Sequence, residues 1–345
     1  MRQINVCPST LVDGFKDYSP KAVRTLFDGK KTTCKMDLSF DEDDNEKISA
    51  IDLAENGISP QHNAENLSIS GAQEKYPAIL DDGKIRIAKE GERSTYILKP
   101  APLDRTYLRK QIPANEHLTM QIASQVYGID TAQNGLCFTT DDQPVYVTKR
   151  FDITPDGSKL PMEDFASLVG RTDKTNGDEY KYEGSYDEIA RAIVKYIPAS
   201  KVALEKFLRL VVFNYIFANG DAHLKNFSVI RRGDDLALAP AYDLINTFIH
   251  IEGNDFALKG GLSPDIEKSD VFDRTGHPCR LDFERFGIHI GISEKRVAKI
   301  LDQFMEFPPE MDTLIANSFF HEDRVRRTYK RIIEERRLRF IRKSE

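Results

Sequence analysis

The sequence predicts an α+β chain in two lobes, a small and mostly antiparallel β lobe followed by a larger, mostly helical one. Three observations predict it. Short β-rich runs separated by turn dipeptides crowd residues 78–99, and another strand pair ends at Lys149. Helical periodicity dominates from about residue 153 onward. A length of 345 residues leaves room for two hydrophobic cores. The expected divisions are a helical and loop segment with an acidic connector over 1–66, a small lobe over 67–152, and a helical lobe with a basic C-terminal helix over 153–345.

Each element follows from local chemistry. Ser19-Pro20 opens a helix that puts Val23, Leu26 and Phe27 on one face. Residues 41–61 begin with Asp41-Glu42-Asp43-Asp44 and end in Gly57-Ile58-Ser59-Pro60, a polar connector with one short helix expected over 47–55. Strands over 78–80, 84–88 and 95–99 are divided by Asp82-Gly83 and Glu90-Gly91, which makes an antiparallel meander. A helix over 114–127 carries Leu118, Ile122 and Val126 on one stripe, with Gly128 as its C-cap. The strand pair ending at Lys149 closes the first lobe near Phe151-Asp152. Helices follow over 186–197 and 204–217, the second apolar enough to be a core. A hairpin pairs 227–230 with 236–238, and helix returns over 293–341. There Val325, Tyr329, Ile332, Arg336 and Phe340 form a docking stripe, with the remaining arginines on a solvated basic face.

The bulk numbers narrow the function classes. A net charge of −6 argues against nucleic acid as a direct partner of the whole surface. No apolar run is long enough to cross a membrane, and the N-terminus lacks a signal peptide's apolar core, so a cytoplasmic location is expected. Cys7, Cys34, Cys137 and Cys279 lack the spacing of a zinc site or a disulfide framework, which fits reduced thiols.

The chemistry concentrates in Asn219-Gly220-Asp221-Ala222-His223-Leu224-Lys225-Asn226, with Tyr242-Asp243 beyond the hairpin. A carboxylate and a carboxamide five residues apart, then a second carboxylate, is the layout phosphoryl transfer needs. One acid takes the acceptor hydroxyl's proton, while an amide and another acid hold magnesium. Protein kinases use the same Asp-x-x-x-x-Asn spacing. Three further features acquire meaning from their order. Lys99 closes an apolar strand and could reach nucleotide phosphates, or equally be an edge-strand lysine that deters aggregation. Glu116, early in the 114–127 helix, could pair with it or simply favour the helix N-terminus. Ser68-Ile69-Ser70-Gly71-Ala72-Gln73-Glu74-Lys75 could cradle phosphate through small residues and backbone amides, although by itself it reads as a polar turn. His223 has no second histidine at metal spacing, so it reads as packing for the loop.

Taken together, these segments resemble the HipA-like serine/threonine kinase toxins. The resemblance rests on the Ser68–Lys75 turn, Tyr96-Ile97-Leu98-Lys99-Pro100, Asn115-Glu116-His117, Lys149-Arg150-Phe151-Asp152, Asn219 through Ser228, and Leu238-Ala239-Pro240-Ala241-Tyr242-Asp243. It implies a fold like that of phosphoinositide and protein kinases, with ATP and Mg2+ as cofactors. Carried over position by position, Asp221 resembles the catalytic base, and Asn226 and Asp243 the metal ligands. Lys99 resembles the nucleotide lysine, and Lys149 to Phe151 the hinge that meets adenine. Ser70, Gly71, Ala72, Gln73, Lys75, His223 and Lys225 complete the implied nucleotide contacts. Residues 67–152 then become the nucleotide-binding lobe and 153–345 the catalytic one. Ser68 and Ser70 match autophosphorylated positions that restrain the family's activity.

The segment before Ser68 is short for the N-terminal subdomain of the longer relatives, so the chain looks more like the compact HipT branch. Longer relatives have glutamate where this hinge has Lys149, which leaves backbone recognition of adenine in place. The resemblance also implies a protein substrate such as an aminoacyl-tRNA synthetase. It implies antitoxin partners as well: a helix-turn-helix protein through which DNA would be met indirectly, and a HipS-like small protein. Two other classes stay open, a catalytically weak regulatory subunit of an antitoxin–DNA complex and a small-molecule or lipid kinase.

Overall fold

A computed structural model describes residues 4–36, 74–102 and 107–342. The acidic connector, its expected helix over 47–55, and Ser68, Ser70, Gly71, Ala72 and Gln73 lie outside the described residues.

The fold is two-lobed, α+β and kinase-like. The first lobe is built on β1 (Tyr76–Asp81), β2 (Lys84–Ile87), β3 (Tyr96–Lys99), β4 (Asn134–Phe138) and β5 (Pro144–Lys149), ordered β2-β1-β3-β5-β4 and antiparallel throughout. The Asp82-Gly83 turn works because both central residues take positive φ, 41° and 75°, as a tight two-residue hairpin requires. Because β3 is the middle strand, Lys99 is not an edge lysine, and that alternative is excluded. Register sets which side chains share a face. Lys99 lies opposite Tyr146, and Tyr96 opposite Lys149. Side chains alternate along a strand, so Lys99 and Lys149 point to opposite faces.

The Tyr96 face is covered by the N-terminal segment. Helix α1 (Pro20–Leu26) is capped by the Ser19 side chain, which accepts from the Ala22 amide. The Tyr96 hydroxyl donates to the Leu26 carbonyl at 3.0 Å, and the Phe27 ring lies 5.9 Å from that of Tyr96. The other face is covered by α2 (Ile112–Gln125), which starts two residues before expectation because Pro113 suits a first helical turn. Its residues 112–123 are all buried. A helix buried all round has neighbours on every side. Here these include the sheet and, from the second lobe, Tyr329, whose hydroxyl lies 3.0 Å from Thr119 Oγ1.

The second lobe is organised on α3 (Tyr186–Tyr196) and α4 (Ser200–Ile216). Around α4, Phe207, Phe213, Tyr215 and Phe217 are fully buried and stack on one another or on Tyr127, Phe227 and Phe283. The expected hairpin is β7 (Ser228–Arg232) with β8 (Asp235–Leu238), and it gains a third strand, β6 (Met162–Asp164). Three mostly exposed residues carry no periodicity, which is why β6 could not be read from sequence. The chain ends in helices over Glu294–Asp302, Pro309–Ala316 and Asp323–Phe340. In the last, Val325, Tyr329, Ile332, Arg336 and Phe340 are buried as expected.

The solvated basic face is only partly so. Arg326 donates to the Ser318 and Phe320 carbonyls, and Arg337 to that of Met305. Arg336 is 3% exposed, lies 4.4 Å from the Phe248 ring and 5.3 Å from that of Tyr215, and is ion-paired with Asp255. These arginines bolt the terminal helix to the lobe. All four cysteines are buried free thiols. No helix among the described residues is long and apolar enough to cross a membrane.

Burial also sets an acid sensitivity. His117 and His250 are 0% and 5% exposed, and desolvation pushes each down to about 4. A histidine whose folded value lies below its unfolded one favours the folded state fully above the unfolded value, near 6.5. It loses that contribution as pH falls toward 4. At pH 5 the loss is on the order of 2 kcal/mol per histidine. Urea unfolding should therefore show clearly lower stability at pH 5 than at pH 7.5, and a flat profile would contradict it.

Candidate active site

Helix α4 delivers the Asp221 loop. It ends at Phe217, and Ala218 turns the chain with φ of 53°. The Asn219 amide donates to the Asn214 carbonyl at 2.8 Å, and its carboxamide bridges Asn214 Oδ1 at 3.0 Å and the Asp243 carbonyl at 3.3 Å. Thr247 closes the same turn, accepting from the Gly220 amide and donating to the Ala218 carbonyl, both at 3.0 Å. A Cβ at Gly220 would lie 3.1 Å from Thr247 Oγ1 and 3.3 Å from Phe248, so glycine permits this approach. One helical turn, Leu224–Asn226, follows, with the Asn226 amide bonded to the His223 carbonyl at 2.9 Å.

Lys99 comes from the first lobe and reaches Asp243, whose carbonyl accepts from the Asn219 side chain. Its ammonium is 2.6 Å from Glu116 Oε1 and also ion-paired with Asp243 Oδ1. Lys75 approaches Asp243 Oδ2 at 3.5 Å. The helix glutamate thus joins the strand lysine, and Asp243 meets both lysines from across the hairpin. Asp243 holds this place with φ of 56°, a left-handed conformation uncommon for a residue with a side chain. Burial would disfavour every charge here, but the pairing decides most of them. Against desolvation, Asp243 and Glu116 raise Lys99 above the ordinary lysine value. Against desolvation, Lys99 and Lys75 hold Asp243 well below the usual carboxylate range. For Glu116, burial wins over the pull of Lys99 and its value rises.

The loop itself carries Asp221, 5% exposed, which accepts from the Tyr182 hydroxyl at Oδ1, 2.7 Å away. His223 packs edge-on against the Tyr182 ring at 5.2 Å, and burial pushes it down to about 4, so its imidazole is neutral at physiological pH. Both of its ring nitrogens are buried without a hydrogen-bond partner among the described residues. Lys225 donates to the Tyr180 hydroxyl at 3.1 Å, and the Tyr242 hydroxyl donates back to the Lys225 carbonyl at 2.8 Å. The Phe151 ring lies 5.9 Å from that of Tyr242.

The side chain of Lys149, first residue of the expected hinge, turns away from Lys99. The Lys149 side chain pairs with Asp28 on the face opposite Lys99, so strand alternation denies it a place among the groups around Lys99. The Lys149 amide is also committed, to the Gln133 carbonyl at 2.8 Å. Tyr182, Tyr186 and Thr247 were not anticipated, because each reaches the loop only through tertiary packing. A cavity of about 560 Å³ lies beside the loop, between Asn254–Leu262 and Glu267–His277. It holds none of Lys99, Asp221, Asn226 or Asp243, so the ion pairs and not cavity size mark this site.

Asn226 and Asp243 offer hard oxygen donors, which suit magnesium. No group of three or more His, Cys, Asp or Glu that could cage a metal exists among the described residues.

A lysine and glutamate paired in a β lobe, joined to an aspartate whose carbonyl holds an Asp-x-x-x-x-Asn loop, make an arrangement suited to phosphoryl transfer. The chain belongs to the HipA-like C-terminal domain family, whose pattern matches residues 67–310. It is 26% identical over 291 residues to a protein of Haemophilus influenzae named "Putative kinase", covering 79% of this chain and 82% of that one. It is 34% identical over 218 residues to "Putative kinase Y4dM" of Sinorhizobium fredii, covering 58% of this chain and 50% of that protein. The fold matches a chain from the Shewanella oneidensis MR-1 toxin–antitoxin complex of HipA, HipB and operator DNA. That match has a TM-score of 0.65 at 18% identity and covers 85% of this chain and 71% of the other.

Proposed function

We propose that this chain is an ATP- and magnesium-dependent protein serine/threonine kinase acting as the toxin of a toxin–antitoxin system. The observation that carries it is the joining of Lys99, Glu116 and Asp243, with the Asp243 carbonyl held by Asn219 of the Asp221 loop. Names of relatives as kinases agree with it.

In this reading Asp221 receives the proton of the acceptor hydroxyl as that oxygen bonds to the γ-phosphorus and the bond to departing ADP breaks. Lys99, oriented by Glu116, meets the phosphates. Asn226 and Asp243 would hold magnesium, which supplies neutralisation of phosphate charge. The neutral His223, Lys75 and Lys225 border the nucleotide, and Ser70, Gly71, Ala72 and Gln73 would cradle its phosphates. Phosphate on Ser68 or Ser70 would add up to about two negative charges beside them, which accounts for restraint by autophosphorylation. An aminoacyl-tRNA synthetase serine as acceptor, and antitoxin partners that bring the chain to DNA, belong to the same reading. The latter is supported by the complex in which the Shewanella neighbour was solved.

The test is incubation with γ-labelled ATP, magnesium and a cell lysate. Label on protein serine or threonine is expected, abolished by EDTA and restored by added magnesium. Label confined to lipid or small molecules would replace the protein-kinase reading, and no transfer to any acceptor would sink it.

A further inference from the structure

The segment Tyr180–Tyr182, far from the Asp221 loop in sequence, sits directly on it. Two tyrosines four residues apart grip the loop at adjacent positions. The Tyr182 hydroxyl donates to Asp221 Oδ1 at 2.7 Å, and the Tyr186 hydroxyl donates to the Ala222 carbonyl at 3.0 Å. Resting on the kinase reading above, we propose that Tyr182 is a positioning residue. Its hydroxyl holds one oxygen of the Asp221 carboxylate, so that the carboxylate meets the acceptor hydroxyl in a fixed orientation.

The alternative, a displaceable plug occupying the acceptor's place, conflicts with how the segment is anchored. The Tyr182 amide donates to the Glu179 carbonyl at 2.9 Å, and its carbonyl accepts from the Lys259 amide at 3.0 Å. The Gly260 amide donates to the Gly184 carbonyl at 2.8 Å, and a Cβ at Gly260 would come within 2.7 Å of that oxygen. Lys259 pairs with Glu183 at 2.5 Å, and Arg171 donates to the Glu183 carbonyl at 3.1 Å. Main-chain bonds and ion pairs on both sides make this a fixed strut. The Tyr182 ring is further braced edge-on by His223. A general base gains from a fixed orientation because misplacement by about 1 Å can cost on the order of a hundredfold in rate.

The experiment is a double-mutant cycle on phosphotransfer with Tyr182→Phe and Asp221→Asn. Tyr182→Phe keeps the ring and its packing and removes only the donor. It is expected to lower kcat about 10- to 100-fold with KM for ATP and the melting temperature unchanged. In the Asp221→Asn background it should cost nothing further, because it acts through that carboxylate. Unchanged kcat, an additive loss in the cycle, or a rate increase showing a competing hydroxyl would each overturn the inference while the kinase reading stands. A wild-type chain that transfers no phosphate overturns both.

Discussion

Asp221→Asn is expected to leave the fold intact and to lower phosphotransfer about 100- to 10,000-fold, the range for loss of a general base. The carboxamide is nearly isosteric with the carboxylate. Its oxygen still accepts from the Tyr182 hydroxyl, and the backbone bonds of Asn219, Gly220 and His223 do not involve the side chain that changes. It cannot take up the acceptor's proton. Rates with labelled ATP, read beside a melting curve, separate the two effects. A variant within about tenfold of wild type would remove Asp221 from the role of base.

The second large effect is at Lys99. Lys99→Met should abolish most activity and also destabilise the chain by about 3–5 kcal/mol at neutral pH, the range for breaking one partner out of a buried ion pair. The Lys99 and Glu116 side chains are 5% and 3% exposed, and Asp243 is close enough to raise Glu116 already. Without the ammonium the two carboxylates face each other without that counter-charge. Glu116 would then titrate still higher when folded than when unfolded. A raised carboxyl favours the folded state below its unfolded value and loses that favour as pH rises. The stability deficit of Lys99→Met should therefore shrink on acidification toward pH 5 and be largest near pH 8. Urea unfolding of both proteins across that range measures it. A deficit that grows on acidification would mean Lys99 is not the charge that keeps these carboxylates buried.

Much of the site was legible before the fold because its parts follow one another in a fixed order, each on an element with its own local signal. Glu116 falls in the second turn of a helix that its apolar stripe announces, and Lys99 at the end of an apolar strand bounded by Pro100. Asp221 and Asn226 lie between an apolar helix and a hairpin. Local chemistry also foretold the Ser19 cap and the Asp82-Gly83 turn. The weak points were those where sequence separation or sheet order intervenes. Lys99 as an edge lysine was an open reading until the strand order put β3 in the middle, and only register decided that the Lys149 side chain lies on the far face. β6 is three residues long and exists only because β7 offers it an edge. Arg336 sits on an apolar stripe because Phe248, Tyr215 and Asp255 receive it, and those partners are scattered along the chain.

By itself, then, the sequence determined the class of fold, the order of its elements and the residue types of the proposed phosphoryl-transfer centre, since periodicity, turns and short motifs are properties of neighbouring residues. The tertiary structure alone decided which charges meet, which face of the sheet they share, and that Tyr182 stands on Asp221. Those depend on strand order and on packing between segments as far apart as Lys99 and Asp243, for which a local pattern carries no signal.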